Sequence, residues 1–322
     1  MQKIIINQHG GPDVLALEEA TSAPLADDEI RIKNSAIGVN FIDIYQREGL
    51  YPMDLPFTPG QEGIGFVSET GSAVANVQVG DRVAYLSGGS SYATETNVAA
   101  TKCVKIPERV NDEDAAAVLL KGLTVQMLIR QVFDLKEGQT ALVYAAAGGV
   151  GNLLCQWANH IGATVIGVVG NAAKVDIAKA AGATNVIDRS ATPDLVSEVR
   201  LLTKGDGVDV VYDSIGDATF IQSLDCLALR GMMVTYGNAS GPPPAIAPLE
   251  LAKRGSLSLI RPILFHYSTP EHLPVMAREL FDLMQAGILK ASISEVFPLQ
   301  EAAKAQALLE GGQTTGAIVL KP

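Results

Sequence analysis

Apolar positions change character twice along the chain. Up to about residue 120 they form short β-like runs, Ile4 to Ile6, Val14 to Leu17, Glu29 to Val39, Gly63 to Glu69, Arg82 to Leu86 and Thr94 to Ala99, punctuated by Gly, Pro, Asn and Asp. From Asn111 or Asp112, either of which caps a helix, the spacing turns helical through Ala115–Leu120 and Leu123–Val132. Strands and helices then alternate. Strands are predicted at Thr140–Tyr144, Thr164–Val169, Asn185–Ile187, Val208–Tyr212, Met232–Tyr236 and Ser256–Ile260. Between them lie a helix carrying Val150, Leu153, Leu154, Trp157 and Ile161 that Gly162 stops, and one over Lys174–Ala181 closed by Gly182. A third is capped by Thr192 with Pro193 at its first position and Asp194 in its first turn, and a fourth runs from Asp217 through Phe220, Leu224 and Leu227 to Gly231. The last segment predicts a helix opened by Thr269-Pro270 towards Ala286, a second over Leu299–Glu310 and a strand at Ala317–Leu320.

Six strands with intervening helices predict an α/β, doubly wound dinucleotide-binding sheet beside a β-rich domain. The expected division is a first domain over 1–122, the doubly wound domain over 123–262, and a return segment over 263–322. That segment is too short to fold alone and is expected to pack back on the first domain, leaving a dinucleotide in a cleft between two lobes.

The turn after Tyr144 carries the most specific chemistry. Against G-x-G-x-x-G it reads Ala146, Ala147, Gly148, Gly149, Val150, Gly151, with only the first glycine replaced. Gly148 lets backbone approach phosphates, Gly151 permits close packing of helix on strand, and the helix N-terminus supplies unpaired N–H groups. Where an NAD site carries an acidic residue at the end of the second strand, this chain has Gly170 and Asn171. Lys174 and Arg189 are placed to neutralise a 2′-phosphate, so NADPH is favoured over NADH; ordinary solvated surface charges are the alternative.

Composition narrows the class. The chain of 322 residues is 48% hydrophobic, enough for a large core, and contains no run of eighteen apolar residues and no signal-peptide pattern, so a cytoplasmic location is expected. A net charge of −11 argues against an electrostatic grip on nucleic acid or an anionic membrane. The three cysteines, Cys103, Cys155 and Cys226, show no C-x-x-C pairing and suit a reducing compartment.

Ordered blocks along the whole chain carry a resemblance: H-G-G-P-D-V-L from His9, A-I-G-V-N-F-I-D-I-Y from Ala36, G-L-Y-P from Gly49, V-G-D-R-V from Val79, K-G-L-T from Lys121, the A-A-A-G-G-V-G turn, V-Y-D-S-I-G from Val211, S-L-D-C-L from Ser223 and T-T-G from Thr314. The chain resembles the quinone oxidoreductases of the zeta-crystallin type, in the zinc-independent branch of the medium-chain dehydrogenase/reductase superfamily. The resemblance implies a GroES-like substrate domain, a Rossmann domain, NADPH as hydride donor and a homodimer built partly through the Rossmann domain. It places Asn40, Tyr45 and Thr124 near the nicotinamide, Gly148, Gly149 and Val150 near the pyrophosphate, and Asn171, Lys174 and Arg189 at the 2′-phosphate. Ser214, Gly237, Asn238, Ser240 and Phe265 line the rest of the groove. The chain departs from the family at Arg189, where a tyrosine occurs, at Gln126-Met127, where aromatics occur, and at Gly312, where an arginine is usual.

Zinc-dependent relatives carry a cysteine and a G-H-E histidine where this chain has Asn40 and Gly60-Gln61-Glu62, so no metal is expected. Hydride transfer to a quinone or an activated double bond needs a Lewis acid less than alcohol oxidation does, and positioning dominates. Asn40 and Tyr45 are the candidates that orient the nicotinamide or donate to the acceptor oxygen, with Asp43 as an anchor behind them and Tyr51 lining the substrate slot. A turn cap, core packing, a helix-start carboxylate and a loop cover are the respective alternatives. NADPH-dependent quinone reduction is the expected activity. Reduction of a 2-alkenal or enone, or a non-catalytic NADPH-binding role, stands beside it.

Overall fold

A computed structural model describes all 322 residues, which divide into two compact units: Met1–Leu123 with Ser268–Pro322, and Thr124–Tyr267. The return segment begins at Ser268 instead of Ile263, because the short helix Leu264–Tyr267 packs on the 127–132 turn and stays with the second unit.

The first unit is built on a seven-stranded sheet in which Glu29–Val39 pairs antiparallel with Glu62–Thr70 on one side and with Glu95–Ala99 and Ala317–Lys321 along the other. The last strand of the chain is thus stitched to the first long one. Ile37, Val39, Ile318 and Leu320 share a core there with Leu299 and Ala302. Arg47, fully buried, reinforces the join: it donates to Gly10 O at 3.0 Å, Gln306 Oε1 at 2.9 Å and Glu310 Oε2 at 2.9 Å.

The second unit holds a six-stranded, all-parallel sheet in the order Asn185–Asp188, Thr164–Val169, Thr140–Tyr144, Val208–Asp213, Leu227–Thr235, Ser258–Ile260. In chain order this is 3-2-1-4-5-6, the doubly wound arrangement whose switch point lies beside the first strand. Burial on both faces explains the unbroken apolar runs: Ala141 to Tyr144 and Val165 to Val169 have no exposed residue.

Three sequence expectations fail locally. Asp194, not Thr192, caps the helix Leu195–Leu202, since its carboxylate accepts from Ser197 N at 3.0 Å, and Pro193 lies outside. The helix Phe220–Asp225 is capped at Thr219 and ends before Leu227, which already belongs to the next strand, so Gly231 is a strand residue. The helix Leu273–Gln285 starts at His272, a few residues after Thr269-Pro270. Asp112–Gln126 runs on as a π-turn over Met127–Val132, giving a 21-residue helix long and apolar enough to cross a membrane by length and composition; its most apolar window is 72% buried within the protein, as in a core helix.

Candidate functional site

The coenzyme unit presents its turn at the end of the first sheet strand. Ala145 adopts φ +49° and its carbonyl accepts from Gly148 N at 2.8 Å, so the left-handed residue of the turn lies one position before the expected first glycine. Gly148 caps the helix Gly149–Ile161, and Gly148, Gly149 and Val150 are half-exposed. The first-turn N–H groups of that helix have no intrahelical partner by geometry and sit at the positive end of its dipole, as an anion requires. A Cβ at Gly151 would stand 2.2 Å from Ala145 O, so this glycine sets how closely the helix lies on the strand.

At the neighbouring strand end, Asn171 is exposed, Lys174 is half-buried with its ammonium pKa lowered by burial, and Arg189 is exposed with its backbone N donating to Val169 O at 2.9 Å. Asn171 and Lys174 thus lie on the turn that follows the second strand, and Arg189 directly follows the third. The nearby Asp188 carboxylate turns to Ser190, accepting from its N at 2.9 Å and its Oγ at 2.7 Å.

Beyond the fourth strand, buried Asp213 accepts from Ile215 N at 2.7 Å, Gly216 N at 3.2 Å, Thr219 Oγ at 2.7 Å and Ser223 Oγ at 2.9 Å. This carboxylate shapes the loop that carries Ser214. Ser240 ties a second loop to it, donating to Ile215 O at 2.9 Å and accepting from Ala218 N at 3.0 Å, so its hydroxyl serves the protein's own backbone. Gly237 O receives Arg261 Nη1 at 2.8 Å, Asn238 is buried, and Phe265 is half-buried on the Leu264–Tyr267 helix. Thr124 is half-buried on the long helix.

The first unit supplies a different kind of site. Asn40 ends the long strand and caps the helix Phe41–Glu48, whose exit at Gly49 is left-handed, φ +82°. Its amide joins a buried polar cluster: Nδ2 donates to Glu62 Oε1 at 2.8 Å and Oδ1 accepts from Lys121 Nζ at 2.8 Å. Lys121 also reaches Val39 O at 3.2 Å and Glu62 Oε1 at 3.7 Å, and Glu62 Oε2 accepts from Leu120 N at 2.7 Å. Burial raises the Glu62 pKa and lowers that of Lys121, each opposed by the charge of the other. Asp43 Oδ2 accepts from Asn40 N at 2.9 Å and Tyr92 Oη at 3.0 Å while Oδ1 has no partner, and burial pushes this carboxyl up to about 7.

Tyr45 and Tyr51 meet edge to face with ring centroids 5.2 Å apart, and Phe41 lies 6.0 Å from Tyr45 on the same helix face. Glu62, Lys121 and Phe41 are the residues that sequence reasoning passed over. The signal available was an isolated charge inside an apolar segment, A-V-L-L-K-G-L, with the acid at the head of E-G-I-G-F-V.

Comparison with known proteins agrees with both halves. Residues 26–108 match the alcohol dehydrogenase GroES-like domain, and residues 149–279 match the zinc-binding dehydrogenase family. A quinone oxidoreductase of Pseudomonas aeruginosa is 45% identical over 100% of this chain and 99% of its own length. The crystal structure of Escherichia coli quinone oxidoreductase complexed with NADPH superposes with a TM-score of 0.97, at 43% identity and full coverage of both chains. A 2-haloacrylate reductase of Burkholderia is 42% identical over 99% of this chain and 98% of its own.

The zinc implied by the wider family name does not fit these residues. Asn40 and Gln61 offer neutral amides, Gln61 Nε2 is spent on Gln46 Oε1 at 2.9 Å, and the Lys121 ammonium lies where Asn40 Oδ1 and Glu62 Oε1 converge. NADPH does fit, with a glycine turn at a helix N-terminus and two basic residues at adjacent strand ends. By its GroES-like and doubly wound parts, its amide-for-ligand replacements and its full-length similarity, the chain belongs to the quinone oxidoreductases of the medium-chain dehydrogenase/reductase superfamily.

Proposed function

We propose that the protein is an NADPH-dependent quinone oxidoreductase acting without a metal. The observation that carries this reading is the presence in one chain of a dinucleotide turn that keeps the second and third glycines and of an amide–carboxylate–ammonium cluster in place of thiolate and imidazole ligands. When bound, NADPH supplies the hydride. The Gly148–Val150 backbone holds its pyrophosphate, Lys174 and Arg189 with Asn171 hold the 2′-phosphate, and Ser214, Gly237, Asn238 and Phe265 line the groove, with Ser240 shaping it. Phe41, Tyr45 and Tyr51 offer aromatic faces to a flat acceptor, which stacks in offset or edge-on geometry. Asn40, Tyr45 and Thr124 orient the nicotinamide.

Lys174→Glu is expected to weaken NADPH about tenfold or more while changing NADH little, because it sets a carboxylate against the 2′-phosphate. Titration of both coenzymes by nicotinamide fluorescence checks this; equal losses remove the 2′-phosphate assignment. Turnover of NADPH with benzoquinone, phenanthrenequinone and a 2-alkenal, run in parallel, tests the activity. Reduction of a polarised carbon–carbon double bond is the second reading, favoured by the similarity to the 2-haloacrylate reductase, and activity confined to the alkenal would put it first. Tight NADPH binding with no turnover of any electrophile would instead leave a non-catalytic role.

A homodimer is part of the proposal. Ser258–Ile260 is the last strand of its sheet, open on one side, with Leu259 and the exposed Leu229 (77%), Leu249 (63%) and Ile263 (48%) in the same unit and no charge on the strand to discourage pairing. Sedimentation is expected to give twice the 33.8 kDa chain mass, and Leu259→Lys to give monomer at micromolar concentration. A Leu259→Lys protein that still sediments as a dimer would place the interface elsewhere. Buried, unlinked Cys103, Cys155 and Cys226, each pushed up to about 12 by burial, support a cytoplasmic location.

A further inference from the structure

We propose that Asp213 and Ser240 are positioning residues that lock the loops after the fourth and fifth sheet strands of the coenzyme unit into one body, setting the nicotinamide half of the groove before the coenzyme arrives. The inference rests on the coenzyme groove of the reading above and adds to it which residues hold that half in place. A doubly wound sheet divides into two mononucleotide halves. Asn171, Lys174 and Arg189 follow the second and third strands, so the 2′-phosphate and its adenosine fall to the first half. The loops 214–219 and 236–241, which follow Val208–Asp213 and Leu227–Thr235, belong to the other half, left for the nicotinamide.

Backbone bonding between these two strands continues past their ends. Tyr236 N donates to Asp213 O at 2.8 Å, Ala239 N to Ser214 O at 3.3 Å and Ser240 N to Ile215 O at 2.8 Å, while Asp217 N donates in the other direction to Gly241 O at 3.1 Å. So close an approach needs bare backbone: a Cβ at Gly237 would stand 2.3 Å from Ser214 O, and one at Gly216 2.3 Å from Gly241 O. Two side chains then close the lock, one from the core and one from the solvent side. Fully buried Asp213 takes Ile215 N and Gly216 N on Oδ1 and the Thr219 and Ser223 hydroxyls on Oδ2, four donors that a carboxylate can satisfy together. Ser240 is exposed, yet its hydroxyl bridges the loops: its single hydrogen goes to Ile215 O at 2.9 Å and its oxygen takes Ala218 N at 3.0 Å. With no hydrogen left for a coenzyme oxygen, it acts through the loops it fastens. Arg261, directly after the sixth strand, adds a third hold through Gly237 O at 2.8 Å and Thr235 Oγ at 3.1 Å. Loops held this way have little freedom left to lose when a ligand binds, and that preorganisation favours affinity.

Ser240→Ala deletes both hydroxyl bonds at an exposed position and leaves the core as it is. Dissociation constants are read by calorimetry for NADPH and for adenosine 2′,5′-bisphosphate, which lacks the nicotinamide half. The expected result is an NADPH constant about fivefold weaker with the bisphosphate constant unchanged, and recovery of most of the loss in Ser240→Thr, which keeps the hydroxyl. Asp213→Asn probes the other side of the lock: its carbonyl still serves the two backbone donors, and its amide meets two hydroxyls that can rotate to accept, so the fold is kept while the charge is lost. A loss of about threefold for NADPH alone is expected there. An NADPH constant within about twofold of wild type in Ser240→Ala overturns the proposal, and so does a parallel loss for both ligands, which would make the lock a general prop of the fold. Should Ser240→Ala not fold, Asp213→Asn decides on the same criteria. A wild-type protein that binds NADPH but reduces no quinone with it would end the functional reading instead, while the two binding constants still decide this one.

Discussion

Gly151→Ala is expected to cost the coenzyme unit about 3 kcal/mol and to weaken NADPH by more than about tenfold. The added methyl would lie 2.2 Å from Ala145 O, 2.7 Å from Ala145 C and 3.0 Å from Ala146 Cα, all main-chain atoms that no rotamer change moves. Ala145 O already holds Gly148 N at 2.8 Å, and Ala146 N is bonded to Val168 O at 3.1 Å, so the turn is anchored on both sides and the helix has to yield. A helix that shifts carries its first-turn N–H groups away from the place where a pyrophosphate is held, which is why stability and affinity fall together. Urea unfolding and a fluorescence titration read the two effects. Ala145→Gly is the counterpart: it relieves a left-handed alanine at φ +49° and is expected to leave stability unchanged or raise it by up to about 1 kcal/mol. A Gly151→Ala protein that unfolds and binds like wild type would mean that helix and turn are not in the register described.

How much of this was legible in the sequence depended on what each element buries. The parallel strands are apolar on both faces, so Thr140–Tyr144 and Thr164–Val169 stand out as unbroken runs, and Gly162, at φ +90°, closes the intervening helix where expected. The helix Phe41–Glu48 left no such mark, because the side chains it buries include Asp43, Gln46 and Arg47. An apolar stripe cannot be read where the inward face is polar. Leu227 kept the helical spacing of Phe220 and Leu224 yet joined a strand, since pairing with Val208 outweighs one more turn of helix. Glu62 and Lys121 were visible only as isolated charges; that they meet at Asn40 follows from the sheet and the long helix together, and no local pattern encodes it. Asn40 and Tyr45, by contrast, both fall in the N-F-I-D-I-Y block, which forms one helix with Asn40 as its cap and Tyr45 in its middle.

Asp43→Asn is expected to stabilise the protein at pH 9 by on the order of 3–4 kcal/mol relative to its effect at pH 4. Burial is the main cause of the raised Asp43 pKa, with Glu62 adding to it and Asn40 N, Tyr92 and Lys121 opposing it, for a net value of about 7 against 3.8 for a free carboxyl. The folded protein thus keeps a proton that the unfolded chain has lost between pH 3.8 and about 7, and over that interval wild-type stability falls as pH rises, levelling off above it. Geometry indicates which oxygen carries the proton: Oδ2 accepts from Asn40 N and Tyr92 Oη, and Oδ1 is the buried oxygen without a partner. Asparagine reproduces that neutral state, its carbonyl taking both donors and its amide group occupying the Oδ1 position. At low pH, where wild-type Asp43 is protonated, the two proteins should therefore unfold at similar urea concentrations, and at high pH the variant should unfold later. A constant offset between the two unfolding curves from pH 4 to pH 9 would show that Asp43 stays ionised throughout, held by Lys121 across the cluster, and the buried proton would then have to be sought on Glu62.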